Sequence, residues 1–314
     1  MDGALVSVEL GIIAQQFVNG LTLGGMYALL ALGYTLVYGI LLMINFAHAE
    51  MFMFGAYVGL FTLQGLSRIE FFTSSGPALL LLYLLTFLIA MVATGILGVI
   101  IERFAYRPLR HAPRLAPLIS AIGVSLFLQN AALLWISSRS LPFPVLFEVR
   151  TFRIGGASIS SMQILIITVT ILLMLVLDTF ISRTRLGKSM RATSQDRETA
   201  GLMGIDINRV IALTFFIGPA LGGAAGIFSG MYYGNIKYNM GFIPGIKAFT
   251  AAVVGGIGNL RGAMLGGFLI GLLESLAAAY ISTGYKDVIA FVILIIVLIF
   301  KPGGLLGESV AEKV

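Results

Sequence analysis

NGLTLGGMYALLALGYTLVYGILLMINFAHAEMFMFGAYVGL, residues 19–60, decides the fold. It opens on a long apolar run in which no Asp, Glu, Lys or Arg stands before Glu50. About twenty such residues in a helix cross the hydrocarbon core of a bilayer. The alternation of apolar and polar residues that marks a membrane-barrel strand is missing. The run is interrupted at Asn45-Phe46-Ala47-His48-Ala49-Glu50 and then resumes. Polar and ionisable groups in that setting are costly unless they face a cavity, a partner or an interface. Two readings stand. His48 and Glu50 cap the second helix at the cytoplasmic interface, where a carboxylate near a helix N-terminus is favoured. Alternatively, Asn45, Phe46, His48 and Glu50 line a polar path through the membrane.

The rest of the chain repeats this pattern. Its 314 residues are 58% hydrophobic and 11% charged, and mean hydropathy is +1.00. A soluble fold cannot hide so much apolar surface, and a disordered chain would not carry it. The expectation is an all-α polytopic membrane helix bundle forming a single domain over residues 1–314. Apolar segments lie at about 12–42, 50–66, 77–101, 116–136, 161–182, 209–232, 246–257, 263–282 and 286–301. They predict eight or nine spans, the short 246–257 segment being a candidate re-entrant piece. The absence of cysteine excludes disulfides, thiolate nucleophiles and cysteine metal sites. The N-terminal MDGALVSVELG lacks the basic start of a signal peptide and reads as an uncleaved beginning.

Charge sets orientation. One group of connections carries thirteen Lys and Arg residues, including Arg103, Arg107, Arg110, Arg114, Arg261, Lys301, Lys313 and the basic loop 183–209. The other group carries six, and Lys247 falls inside a span. Basic residues collect in cytoplasmic connections, so the N-terminus is expected outside and the C-terminus inside. That bias also accounts for the net charge of +6 without nucleic acid, for which no aromatic-interleaved basic patch exists.

Segments 44–59 and 241–256 are alike: a broken polar or Gly/Pro stretch, then a short apolar helix, each after a long helix rich in small residues. Interrupted helices in an inverted repeat are a transporter signature and point to the substrate path; chance likeness between two Gly-rich stretches is the other reading. On that repeat, Gly258, Asn259 and Arg261 are the second-half counterpart of the broken segment. Glycines at four-residue spacing, Gly222, Gly226 and Gly230, then Gly258, Gly262 and Gly266, form flat faces for close helix packing.

Enzyme motifs fail. His48-Ala49-Glu50 lacks the cysteines of a zinc deaminase, and His111 is the only other histidine. Gly187-Lys188-Ser189 ends like a phosphate loop, but Ser182 stands where its first glycine belongs. No cofactor is expected in this chain. Glu274 sits within an apolar span and must find a partner, structural or ion-coupling. The largest polar loop, 182–209, predicts a short helix from Thr193 to Met203, with Asp196 and Glu198 in its first turns and Gly204 as its stop. Ala200, Leu202 and Met203 give it an apolar edge. It reads as a docking knob for a soluble partner or as a solvated linker.

The blocks at 19–50, IERFAYRPLR (101–110), LISAIGVSLFLQN (118–130), GKSMRATSQDRETAGLMGI (187–205) and KAFTAAVVGGIGNLRGAMLGG (247–267) resemble one family. It is the inner-membrane permeases of bacterial ABC importers for branched-chain amino acids, in particular the smaller of the two permease chains. The ending KPGGLLGE (301–308) also fits. Where that family usually has glycine after the histidine, this chain has Ala49. The resemblance implies a permease subunit moving Leu, Ile and Val in the cytoplasmic (inner) membrane. It implies a second homologous permease subunit, two ATPase subunits that bind ATP and Mg, and an extracytoplasmic substrate-binding protein as partners. It implies that 193–204 is the coupling helix docking an ATPase, with Arg191, Asp196, Arg197, Glu198, Ala200, Leu202, Met203 and Gly204 in the coupling loop. Related permeases for urea, amides or other neutral amino acids are the near alternative. An ion-coupled secondary transporter using Glu274 is the distant one.

Overall fold

Apolar runs without internal breakers become long helices here, and the glycines let them approach closely. The computed structural model describes residues 2–307 apart from 111, 114 and 155, with the backbone alone for 2–10 and 154. His111, Arg114, Glu308 and Lys313 lie outside the described residues. The first helix, α1, runs Asp2–Leu41, followed by α2 (His48–Leu66), the single turn α3 (Glu70–Thr73) and α4 (Gly76–Ile101). A π-helical turn, Glu102–Tyr106, and a 3₁₀ turn, Arg107–Leu109, extend α4. Then come α5 (Leu115–Trp135), α6 (Ser161–Arg183), α7 (Arg185–Gln195), α8 (Arg197–Leu202) and α9 (Ile207–Tyr233). The chain closes with α10 (Phe242–Gly255), α11 (Leu260–Tyr280) and α12 (Lys286–Phe300).

Six helices among the described residues are long and apolar enough to cross a membrane: α1, α4 with its extension, α5, α6, α9 and α11. The expected eight or nine spans therefore divide into full-length and shorter helices. α10 has 14 residues and α12 has 15. At 1.5 Å per residue both fall short of a hydrocarbon core about 30 Å thick. α1 and α9 are mostly buried and form the centre, whereas α5 and α6 stand at the periphery with most of their surface open. The all-α architecture carries two small additions. The strands β1 (Leu141–Pro142) and β4 (Asn235–Ile236) pair antiparallel, as do β2 (Thr151–Ile154) and β3 (Ala157–Ser160).

The two halves pack on each other reciprocally. α1 lies along α11 as α4 lies along α9; α2 packs on α9 as α10 packs on α1; α2 meets α4 as α10 meets α11. Glycine makes these crossings close. Gly24 of α1 abuts the Phe268 backbone of α11, and Gly226 of α9 abuts the Phe52 carbonyl of α2, leaving no room for a Cβ. Pro219 has no N–H to donate to the Phe215 carbonyl, and Gly98 of α4 packs directly on that carbonyl. Gly222, Gly262, Gly266, Gly267 and Gly271 are likewise at interhelical contacts, whereas Gly230 packs on Phe143 and on Ile236 of β4. Gly258 departs from the expected stripe: it precedes α11, with φ +96°, and no other atom comes within 4 Å of a Cβ placed there.

Two expectations are corrected. The connection after α1 does not leave His48 at the cytoplasmic interface. It folds back into the bundle, so His48 Nε2 donates to the Leu30 carbonyl at 3.2 Å. Leu30 lies about 16 Å along α1 from its C-terminus at Leu41, by helical rise. The His48 ring fills the space that Gly33 leaves open against Gly218. Secondly, no single helix runs from Thr193 to Met203. Asp196 adopts an extended conformation, ends α7 and begins α8. Its Oδ1 accepts from the Glu198 and Thr199 amides, so a side chain suited to N-capping starts a new helix where it stands.

Candidate functional site

α2 begins inside the bundle, and its first turn touches that of α10, whose leading Phe242 and Ile243 are exposed. Gly241 and Gly245 pack against Ala49, leaving no room for side chains. Beside this meeting point lies a cavity of about 780 Å³, a size suited to small ligands. Phe46, Tyr34 and Phe249 form an aromatic wall, with Tyr34 and Phe249 edge-to-face at 6.0 Å. Ile122 and Leu126 of α5 and Ile243 and Ile246 of α10 supply the aliphatic wall. Asn235, Lys237 and Lys286 stand towards the end of the bundle that holds β1 and β4, opposite α7 and α8.

Glu50 lines this cavity and is fully buried. Its Oε1 accepts from Ser125 Oγ at 2.9 Å and from Gln129 Nε2 at 2.7 Å. Its Oε2 has no hydrogen-bond partner. Opposite, Lys247 of α10 pairs with Glu274 of α11 at 2.7 Å and with Asp287 of α12 at 2.5 Å. Its ammonium also lies 5.6 Å from the centre of the Tyr27 ring. Both Lys247 and Glu274 are buried, so each meets the strong penalty on an unpaired charge by facing the other. Glu274 has thus found the partner its position demands. Three lysines and three carboxylates border the cavity, and their formal charges cancel.

The residues singled out from sequence separate into three places. Phe46 and Glu50 line the cavity. Asn45 accepts a 2.6 Å hydrogen bond from the Tyr106 hydroxyl and ties the broken segment to the π-helical turn, while His48 is packed between α1 and α9. Gly258 and Asn259 lie elsewhere. Gly258 borders a cleft of about 60 Å³ with Thr35, Met190 and Arg191. Asn259 caps α11 through the Gly262 amide and donates to the Leu306 carbonyl. Arg261 pairs with Asp178 at 3.2 Å. The second-half counterpart of the broken segment is therefore the turn before Phe242. Ser125, Gln129, Lys247 and Asp287 were not singled out as site residues. Ser125 and Gln129 did carry a signal: two polar residues four apart on an apolar helix share one face.

At the opposite end, α7 and α8 are bound to the bundle. Arg197 donates to the Ile40 carbonyl at the end of α1, Nε at 2.8 Å and one terminal nitrogen closer still. Burial, with Arg110 nearby, lowers its pKa from the ordinary arginine value. Arg191 reaches the Ser182 carbonyl at 3.2 Å. Arg110 pairs with Glu102 and donates to Asn208 Oδ1 at 2.6 Å, joining the π-helical turn to the start of α9. The expected apolar edge divides. Ala200 faces inward, whereas Leu202 and Met203 are 88% and 79% exposed. Glu198 is exposed, and Gly204 takes φ +81° just beyond α8.

Comparison with known proteins gives a consistent result. The family described as the permease component of branched-chain amino acid transport systems matches residues 16–298. The chain is 50% identical over 304 residues to the high-affinity branched-chain amino acid transport system permease protein BraD of Pseudomonas aeruginosa, covering 96% of this chain and 97% of that protein. It is 48% identical over 305 residues to the permease protein LivH of Escherichia coli, with the same coverage, and 48% identical over 304 to LivH of Salmonella typhimurium. No solved structure matches the chain.

Proposed function

This chain belongs to the permease components of branched-chain amino acid transport systems, and from that membership we propose how it works. It is the membrane-spanning permease subunit of an ATP-driven importer of leucine, isoleucine and valine, and not itself an enzyme. The observation that carries the reading is the cavity between the broken ends of α2 and α10, with apolar walls and formal charges that cancel. Aliphatic and aromatic walls suit a branched side chain, and a neutral charge balance suits a zwitterion. The same balance favours an amino acid over urea or a simple amide, which have no charges to pair. The buried Lys247–Glu274 pair argues against Glu274 as an ion-coupling carboxylate.

The chain lies in the bacterial inner membrane with its N-terminus outside and its C-terminus and α7–α8 inside. It works beside a second homologous permease and two cytoplasmic ATPases. An extracytoplasmic binding protein delivers the substrate. ATP and Mg belong to the ATPases, and this chain carries no cofactor. Leu202 and Met203 project as the apolar contact for an ATPase. Arg197 passes movement of α8 to the end of α1, because its guanidinium holds the Ile40 carbonyl in the last turn of that helix. α1 lies along both α10 and α11, two walls of the cavity.

Purification of the tagged chain from its own host, followed by reconstitution into proteoliposomes, tests this. Two ATPases and a second permease should co-purify, and leucine uptake should require ATP and the binding protein. Uptake by the chain alone, driven by an ion gradient, overturns the reading.

A further inference from the structure

We propose that Glu50 is the ammonium-recognition point of the cavity, so that the amino acid lies with its amino group on the buried side and its carboxylate towards Lys237 and Lys286. The inference rests on the amino-acid reading above and assigns a role that the family relationship does not. Three observations carry it. Glu50 borders the cavity and is fully buried, yet only one of its oxygens is used. Ser125 and Gln129 hold Oε1 from α5, which fixes the carboxylate plane and leaves Oε2 without a donor. A buried carboxylate oxygen in that state gains strongly from a cationic N–H donor. The third observation is the placement of the cations. Lys247 is buried and engaged by Glu274 and Asp287, whereas Lys237 is exposed and Lys286 half-buried. A carboxylate therefore meets its cations on the more exposed side, and an ammonium group meets its anion on the buried side. The aromatic wall of Tyr34, Phe46 and Phe249 lies beside Glu50 and takes the branched side chain.

The test uses the purified, assembled complex without binding protein, and displacement of labelled leucine. Two truncated probes divide the zwitterion. Isoamylamine keeps the branched chain and ammonium, and isocaproate keeps the branched chain and carboxylate. In the unsubstituted complex isoamylamine should displace leucine at least tenfold better than isocaproate. In Glu50→Gln, which keeps an oxygen for Ser125 and Gln129, leucine and isoamylamine should each weaken by about tenfold or more, as for loss of a charge-assisted bond. Isocaproate should be unchanged. Isocaproate competing as well as isoamylamine in the unsubstituted complex overturns the proposal without any variant. So does an assembled Glu50→Gln complex with unaltered isoamylamine displacement. If the unsubstituted complex binds no leucine and also fails to import it with ATP and binding protein, the proposed function itself falls, and this assignment with it.

Discussion

Lys247 and Glu274 come from different helices and meet at 2.7 Å with both side chains buried. Asp287 of α12 approaches the same ammonium. This group holds together α10, α11 and α12, the helices on one side of the cavity. Lys247 and Glu274 were each costly to bury, so the arrangement is sensitive to losing one of them more than to losing both.

Lys247→Met leaves two carboxylates without their cation. We expect a loss of about 3–5 kcal/mol, read as a lower midpoint of thermal unfolding in detergent and poorer recovery of monodisperse protein. Lys247→Met combined with Glu274→Gln should recover a clear part of that loss. Equal costs for the single and double variants would remove the ion pair as the cause.

Leu202→Glu with Met203→Glu changes two exposed residues that touch little of the chain itself. Stability should stay within about 0.5 kcal/mol, as for surface changes away from special features. Recovery of the ATPases with the tagged chain should fall at least tenfold. Ala200→Trp, although in the same loop, should instead destabilise the chain by about 1–3 kcal/mol, because Ala200 is buried. Undiminished ATPase recovery with the double Glu variant would place docking elsewhere.

Gly226→Ala drives a methyl group into the Phe52 carbonyl at the α2–α9 crossing. The expected cost is about 1–3 kcal/mol. Gly65→Ala, also helical but with nothing within 4 Å of the added carbon, should be neutral or stabilising. The two unfolding midpoints, measured side by side, separate close approach from helix propensity. Equal shifts would show that the crossing has room to yield.

Asn259→Ala removes the cap of α11 and the bond to Leu306. A loss of about 1–2 kcal/mol follows from the cap, with leucine displacement unchanged. A change in ligand preference at intact stability would return Asn259 to the substrate pathway.

Much of the fold was legible along the chain. Long apolar runs, the break before Glu50 and the stop at Gly204 are local properties, so a window of sequence carries them. The small-residue faces were legible too, since a four-residue spacing puts glycines on one side of a helix. The site was only half legible. Phe46 and Glu50 lie in the cavity, but Asn45 and His48 turned towards neighbouring helices, and Gly258 and Asn259 lie elsewhere. Ala200 and Leu202 are two residues apart and face opposite ways, since two helical steps turn a side chain through about 200°.

By itself, the sequence determined that this chain is a bundle of membrane helices with a break before Glu50 and one large polar loop at 182–209. Hydropathy, chain breakers and capping residues act over a few residues, and no partner is needed to read them. Only the tertiary structure decided that Glu50 meets Ser125 and Gln129 and that Lys247 meets Glu274 and Asp287. Those meetings depend on how each helix is rotated and how closely its glycine faces let it approach. A rotation of one residue, about 100° in a helix, would turn the same side chains towards lipid.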